Sequence, residues 1–419
     1  MVFELSNLMF TDEDDVVPAS GEEQIVNTGI ANTLAGDDII TGTAIRGSDT
    51  VNNIYNSVSA IYNIGTLNTD DGNDLIMGTR KEGEGNDNDF SYDLSSGILS
   101  ERGIIDTGDG DDTIIGINNI TNSGSTSSSF GIDYYFGTLN TGNGNDIITG
   151  TAKLIGFRGY GGILDTGNGN DIITGTGLNG IQSLWEVFNT GDGDDTLIGN
   201  SNELGSGIAM ASLNTGDGND IIIGTNTTGT GMGIINSQYS FVDVSISNPS
   251  LETDNGNDII TGMGFVGIEN SSTINTGNGD DIITGIGTRW GIQNSGTINT
   301  GNGNDSIITE GGFFSRFSES NTVGSTFLGN GKDYLKGFGR GNFNGGKGKD
   351  TLELTSGTYT IEILETTVNF IQPISIPIEP GFHDTGTAIM KTSEFEKLIA
   401  GSTTYNFSSL TNGQTLIVP

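Results

Sequence analysis

The feature that most constrains this chain is that it repeats itself. Asn140-Thr-Gly-Asn-Gly-Asn-Asp-Ile-Ile-Thr-Gly150 recurs almost unchanged at 165–175, 214–224, 275–285 and 299–309, and looser copies run through much of the rest. Taking the last Asp of each copy as a marker gives Asp38, Asp74, Asp112, Asp146, Asp171, Asp195, Asp220, Asp258, Asp281, Asp305, Asp333 and Asp350. The intervals are 36, 38, 34, 25, 24, 25, 38, 23, 24, 28 and 17, so a unit of about 24 residues is in places enlarged by about 12.

Within one unit, 281–304, the apolar residues Ile283, Ile286, Trp290, Ile292 and Ile298 sit singly among Gly, Asn, Thr and Ser. That spacing is not helical. Short β-favouring pieces such as Asp-Ile-Ile-Thr, Gly-Ile-Gln-Asn and Gly-Thr-Ile-Asn alternate with glycine-rich turns. A strand of three or four residues cannot bury its apolar side chains alone, so neighbouring units must supply the core. Stacked in parallel and in register, the units line their isoleucines into inner columns, and the repeat length becomes the coil length. The expected fold is all-β: a parallel β-solenoid (β-helix or β-roll) of about 24-residue coils, some longer, with a small C-terminal β cap. Its length would be roughly 50–60 Å at about 4.8 Å per coil.

Composition narrows the function. Glycine is 69 of 419 residues, about twice the usual share but short of the one-third that collagen needs. With no cysteine, disulfides, thiolate metal sites and cysteine nucleophiles are all excluded. The formal net charge is −38 with 15 Lys and Arg, which argues against nucleic acid or an anionic membrane as partner and for cations. Asp outnumbers Glu by 34 to 19, a bias that suits turns and oxygen-rich metal loops. No apolar run is long enough to span a bilayer, so membrane insertion is not expected. Met1 to Glu23 carries seven acids and no Lys or Arg, unlike a signal peptide.

The turn Thr-Gly-Asn/Asp-Gly-Asn/Asp-Asp carries the chemistry. Its glycines permit left-handed or crowded backbone, turning carbonyl oxygens toward a common centre, and the final Asp adds a charged oxygen. Calcium takes six to eight oxygens with flexible geometry, which turn carbonyls and carboxylates of two stacked coils could supply. The candidate ligands are Asp74, Asp112, Asp146, Asp171, Asp195, Asp220, Asp258, Asp281, Asp305, Asp333 and Asp350. Asp38 is the weakest copy, because Leu34-Ala-Gly-Asp-Asp38 lacks a second glycine. The competing reading is that these Asp and Asn residues only end strands and form hydrogen-bonded ladders. Against it, a carboxylate at the same place in every coil sets like charges about 5 Å apart and demands a counter-ion. If calcium binds, its binding energy adds to folding energy.

The turn resembles the Gly-Gly-x-Gly-x-Asp-x-(large apolar)-x nonapeptide of the RTX, or haemolysin-type, calcium-binding repeats. Gly345-Gly-Lys-Gly-Lys-Asp-Thr-Leu-Glu353 matches it in full, and the 17-residue step from Asp333 to Asp350 is near that family's two-nonapeptide coil. Most other copies have Thr for the first Gly and one nonapeptide per coil, so the resemblance implies one calcium ladder rather than two. The second half of a coil, as in Gly291-Ile-Gln-Asn-Ser-Gly-Thr-Ile-Asn-Thr300, is similar to β-helical passenger and adhesin repeats of bacterial surface proteins.

Three regions follow: an N-terminal cap (1–30), the solenoid (31–355) and a C-terminal cap (356–419). Pro373, Pro377 and Pro380 give the start of the last region edge or loop character. Its tail resembles the C-terminal regions of RTX-type proteins, which leave the cell in one step without an N-terminal signal peptide; equally it serves as the cap a solenoid requires. The enlarged intervals (44–63, 80–101, 121–137 and 226–250) are expected to form loops on a recognition face, with Arg80 and Lys81 in a solvated charged loop. His383 reads as a surface-loop residue, and Trp185 and Trp290 as local gap fillers.

The leading expectation is therefore a secreted, extracellular or cell-surface, calcium-binding solenoid with a structural, adhesive or surface-assembly role and no enzymatic activity. Its partners would be calcium ions and either cell-surface polysaccharide or like subunits. A polysaccharide lyase, hydrolase or epimerase is the alternative, with little basic or aromatic material for it. An ice-binding Thr array is a further alternative: Thr-Gly-Thr occurs at 41–43, 149–151 and 174–176, but Met77-Gly-Thr79, Thr261-Gly-Met263 and Thr284-Gly-Ile286 interrupt it.

Overall fold

In the computed structural model, the described residues are 2–18, 23–45, 59–81, 95–120, 129–184, 187–237, 250–315, 323–379 and 382–419. Among them, apart from the single-turn 3-10 segments Leu5–Asn7 and Phe407–Ser409, every regular element is a β-strand.

A typical coil carries three short strands, and each kind stacks into its own face. The strand after the marker Asp builds the first face: Ile39–Ile45, Leu75–Lys81, Thr113–Asn118, Ile147–Thr151, Ile172–Gly177, Thr196–Ser201 and Ile221–Asn226 pair in parallel and in register. The second face runs through Ile61–Asn63, Ser95–Glu101, Ser129–Tyr135, Ile155–Tyr160 and Asn179–Leu184. The third contains Thr66–Asn68, Ile104–Asp106, Thr138–Asn140, Ile163–Asp165 and Val187–Asn189. In Ile259–Asn270 and Ile282–Asn294 the first two faces join in one strand, with a bulge between Gly264 and Val266. Because Ile148 pairs with Ile173, one repeat further on, the repeat spacing is the coil. The chain is a parallel β-solenoid.

Each strand contributes an inward residue to a column. Ile148, Ile173, Leu197 and Ile222 fill the first face, Phe157, Ile181 and Ile208 the second, and Leu139, Leu164 and Phe188 the third, all within 2% of complete burial. Of the five apolar residues singled out in 281–304, Ile283, Ile292 and Ile298 join this core. Ile286 instead faces outward on the first face, and Trp290 is half-buried and stacks on Phe314 of the next coil at 4.5 Å. Period two in a strand decides this, and isolated apolar residues do not reveal its phase. Where the first face meets the second, the interior is too thin for any side chain: a Cβ on Gly150 would lie 2.1 Å from the carbonyl oxygen of Gly156. Asparagines line another inner position, where Asn236 Nδ2 donates to Asn270 Oδ1 (2.9 Å) and Asn270 Nδ2 to Asn294 Oδ1 (3.0 Å).

The ends are built from the same parts. Val2–Glu4 pairs with Gln24–Asn27, and Val16–Val17 with Ile39–Ile40, so much of the first 30 residues already follows the coil. At the other end Gly341–Asn344 pairs in parallel with Gly341's partner Met390 and its successors to Ser393, and Thr351–Leu354 with Lys397–Ala400. Gly357–Leu364, Thr367–Glu379, Phe382–Ser393 and Thr415–Val418 form an antiparallel sheet across that end. Pro373 and Pro377 lie beyond Ile371, where Thr367–Glu379 is paired on one side only, which spares the ladder their missing N–H.

Several expectations change. His383 is in a strand opposite Pro377, not in a loop. Arg80 is 5% exposed and inward, at the end of Leu75–Lys81, not in a solvated loop. Parts of the enlarged intervals are second-face strands: Ile61–Asn63, Ser95–Glu101 and Ser129–Tyr135 stack in register, and nearly all of their residues are buried. The remaining segments 46–58, 82–94, 121–128 and 238–249, and Trp185, lie outside the described residues. The 17-residue coil shortens by reducing the second face to a single bridge, Phe313 to Gly339.

Candidate cation-binding ladder

The marker residues form one continuous internal column. Every one from Asp38 to Asp350 is at most 2% exposed. The backbone N–H of each donates to Oδ1 of the marker in the next coil: Asp112 to Asp146, Asp146 to Asp171 and Asp171 to Asp195, each at 2.8 Å. The same bond continues to Asp333 and Asp350 at 3.0 Å. Asp38 belongs fully, its N–H donating to Asp74 at 2.7 Å. Leu34 takes the place of the missing glycine with φ 67°, beside φ 80° at Gly142 in a regular turn. Such a backbone costs a non-glycine residue about 1–2 kcal/mol.

Two members were not anticipated. Asp15 opens the column by donating its N–H to Asp38 at 2.7 Å, and Glu396 closes it by accepting the N–H of Asp350 at 2.7 Å. The first had a signal, Asp15-Val-Val standing 23 residues before Asp38-Ile-Ile; the second had none, since Glu396 belongs to no repeat.

The second carboxylate oxygen is where chemistry is left open. In three turns the Thr five residues earlier donates to it: Thr215 to Asp220 and Thr253 to Asp258 at 2.5 Å, and Thr276 to Asp281 at 2.6 Å. At Asp74, Asp112, Asp146, Asp171, Asp195, Asp305, Asp333 and Asp350 this oxygen is buried with no hydrogen-bond donor. In those of these turns that open on threonine, the hydroxyl can serve the next coil, as Thr69 does with the carbonyl of Thr107 at 3.3 Å, while Leu328 and Gly345 hold that place before Asp333 and Asp350. Burial in a low-dielectric interior disfavours the charged form, so the carboxyls rise from the ordinary 3.8: Asp146 to about 7, Asp112 and Asp195 to about 8, Asp74 and Asp171 to about 6. At Asp146 the nearby Thr141 hydroxyl, though not aimed at it in hydrogen-bond geometry, and the Asp112 N–H pull the other way without cancelling the effect of burial.

One residue earlier in each turn lies a contrasting column. Asp37, Asn73, Asp111, Asn145, Asn170, Asp194, Asn219, Asn257, Asp280 and Asn304 are exposed, and Lys332 and Lys349 continue it. From Asp37 onward no two acids are neighbours in it, whereas at its start Asp14 accepts the Asp37 N–H at 3.0 Å. Asparagine amides bridge to the acid of the coil before, Asn145 to Asp111 at 3.0 Å and Asn219 to Asp194 at 2.9 Å, and the Asn219 backbone and amide donors lower the Asp194 pKa. The buried column, where repulsion is less screened, contains no asparagine at all.

These groups fit a hard cation by chemistry: the unmatched donors are all oxygens. Beside the carboxylates stand the carbonyls of the second turn glycines. That of Gly110 points along the axis at Gly144, where a Cβ would be 1.8 Å away, and that of Gly144 at Gly169, 1.6 Å away. Among the described residues, no donor pairs with the Gly110 or Gly144 carbonyl. The acids do not cluster, however: no group of three or more His, Cys, Asp or Glu converges among the described residues. Any cation would be held largely by backbone oxygens, with one carboxylate per coil. The Thr-Gly-Thr steps lie apart, on the outer side of the first face, where Thr149 pairs with Thr174 but Ile115 and Ile198 interrupt the column.

The fold class is thus a parallel β-solenoid with an internal carboxylate ladder. No protein-family model matches the chain, and no curated protein matches it. Among solved structures it is similar to a hyperactive, Ca2+-dependent, β-helical antifreeze protein from an Antarctic bacterium, at 19% identity over 83% of this chain and 84% of that one, with a TM-score of 0.36.

Proposed function

We propose that this is an extracellular β-solenoid with a structural or adhesive role, whose rigidity depends on calcium held along the marker column by the second oxygens of Asp74 to Asp350 and the turn carbonyls. The observation that carries this reading is the contrast between the two columns. From Asp37 onward asparagine separates the acids of that exposed column, while the buried column keeps a carboxylate in every coil, so the buried charge has to be neutralised. A bound cation would supply that neutralisation and link successive coils, turning binding energy into folding energy. Sites built from neutral carbonyls and one carboxylate per coil suit the weak affinities of extracellular modules, about 10⁻⁴–10⁻³ M.

Thermal unfolding followed by circular dichroism, with calcium at millimolar concentration and after complete chelation, tests it. The expected result is a large rise in Tm with calcium, smaller with magnesium, and several ions bound per chain by calorimetry. An unchanged β signal and Tm after chelation would sink the reading.

A further inference from the structure

The outer side of the first face is unlike the rest of the molecule. From Ile39–Ile45 to Ile282–Asn294, nine consecutive first-face strands present three outward positions each, alternating with buried ones. The first outward rank runs from Ile39 to Ile282, the second from Thr41 to Thr284 and the third from Thr43 to Ile286. None of these positions is Asp, Glu, Lys or Arg, in a chain of net charge −38. All are Ile, Thr, Leu, Met or Asn, and Ile147, Ile172, Ile259 and Ile282 are 36–41% exposed. The patch ends on the next strand, where Glu310 takes the third rank.

We infer that this face is the contact surface for a second copy of the chain, packed face to face. Size supports it: nine strands of about 4.8 Å each make the patch about 43 Å long, and three ranks about 6.6 Å apart, with about 5 Å added for side-chain width, make it about 18 Å across. That is about 800 Å² per partner and about 1,600 Å² in all, the area of a standard stable interface. Charge supports it too, because two such rods repel at the acidic turns and can approach closely only where charge is missing. The ranks are regular in spacing and mixed in side chain, with Leu75, Met77, Asn200 and Met263 among them. A mixed surface of this kind can interdigitate with another protein face. The inference does not rest on the cation reading, since these side chains carry no charge and point outward, whereas the marker carboxylates are buried.

Either two-fold axis lying in such an interface sets the middle of the patch, Thr174, against its own copy. Two measurements on the full-length, folded chain decide the matter. In sedimentation equilibrium at about 10–100 µM with calcium present, the wild type should reach twice 43.6 kDa. Thr174→Glu should lower the association constant at least tenfold, and Ile163→Glu, an equally outward change on the third face, should leave it unchanged. Because the chain has no cysteine, Thr174→Cys should give a disulfide-linked dimer under mild oxidation. A wild type that stays monomeric overturns the inference, also if that monomer pellets with ice or insoluble polysaccharide. So does equal weakening by Ile163→Glu, or failure of Thr174→Cys to cross-link while its circular dichroism is that of the wild type.

Discussion

Replacing Asp146 by Asn separates the roles of its carboxylate. Its Oδ1 accepts the N–H of Asp112 at 2.8 Å, an acceptor that an asparagine retains, while the charge is lost. Burial holds the folded-state pKa at about 7 against an ordinary 3.8. The folded chain therefore keeps a proton that the unfolded chain releases. Stability from this group is fully present below pH 4 and is lost as pH rises through 7. A tenfold change in proton affinity is 1.36 kcal/mol, so the distance from 3.8 to about 7 corresponds to about 4 kcal/mol at pH 8. That is a ceiling, because Asp112 and Asp171 titrate with it and the column shares its protons. In chelated protein, urea unfolding should show D146N more stable than wild type by about 1–4 kcal/mol at pH 8 and equal to it within about 1 kcal/mol at pH 4. With calcium at pH 8 the order should reverse, because one carboxylate ligand is gone. A chelated wild type whose stability is flat from pH 4 to 8, with D146N indistinguishable from it at both, would refute the reasoning.

The other predictions concern packing. Gly150→Ala forces a Cβ to within 2.1 Å of a backbone oxygen, so it should cost about 3 kcal/mol or more or block coil formation, read as lost cooperativity in thermal melts. Ile222→Ala, at a fully buried core position, should cost about 2–5 kcal/mol in urea unfolding. Arg158 lies 3.8 Å above the Phe130 ring and pairs with the wholly buried Asp133 through contacts of 2.8 and 2.7 Å. Arg158→Ala would strand that carboxylate and cost about 3–5 kcal/mol at neutral pH. Since burial raises and Arg158 lowers the Asp133 pKa, the deficit of the variant should shrink as the medium is acidified and Asp133 protonates.

The coil was legible because each turn carries a distinct six-residue text, so the spacing of Asp146, Asp171 and Asp195 reports the strand register directly. What faces inward was less legible. In Asp-Ile-Ile-Thr the two isoleucines are chemically the same, yet Ile173 is buried and Ile172 is 41% exposed. Only the phase relative to the turn distinguishes them. Glu396 is invisible for another reason: it meets Asp350 after a 46-residue excursion through the antiparallel sheet, so the contact is set by tertiary closure. Thr215, by contrast, had a signal in the Thr that opens the turn, five residues before its marker, whose hydroxyl points at the buried carboxylate.

The two turn columns also bear on what neutralises the buried one. Protons could do it, since carboxyls held at about 6 to 8 take them up near neutrality. But a protonated Asp offers the same neutral acceptor as an Asn, and Asn would provide it at every pH without the desolvation penalty. The chain uses Asn freely at the position just before, in Asn145, Asn170, Asn219, Asn257 and Asn304, so the residue suits this turn geometry. At the buried position each of the twelve repeats nevertheless keeps Asp. A neutral side chain would be enough for hydrogen bonding alone, because the N–H of the preceding coil needs only one acceptor oxygen. Retaining the carboxylate makes physical sense where its negative charge is used, and the cation proposed between coils would use it.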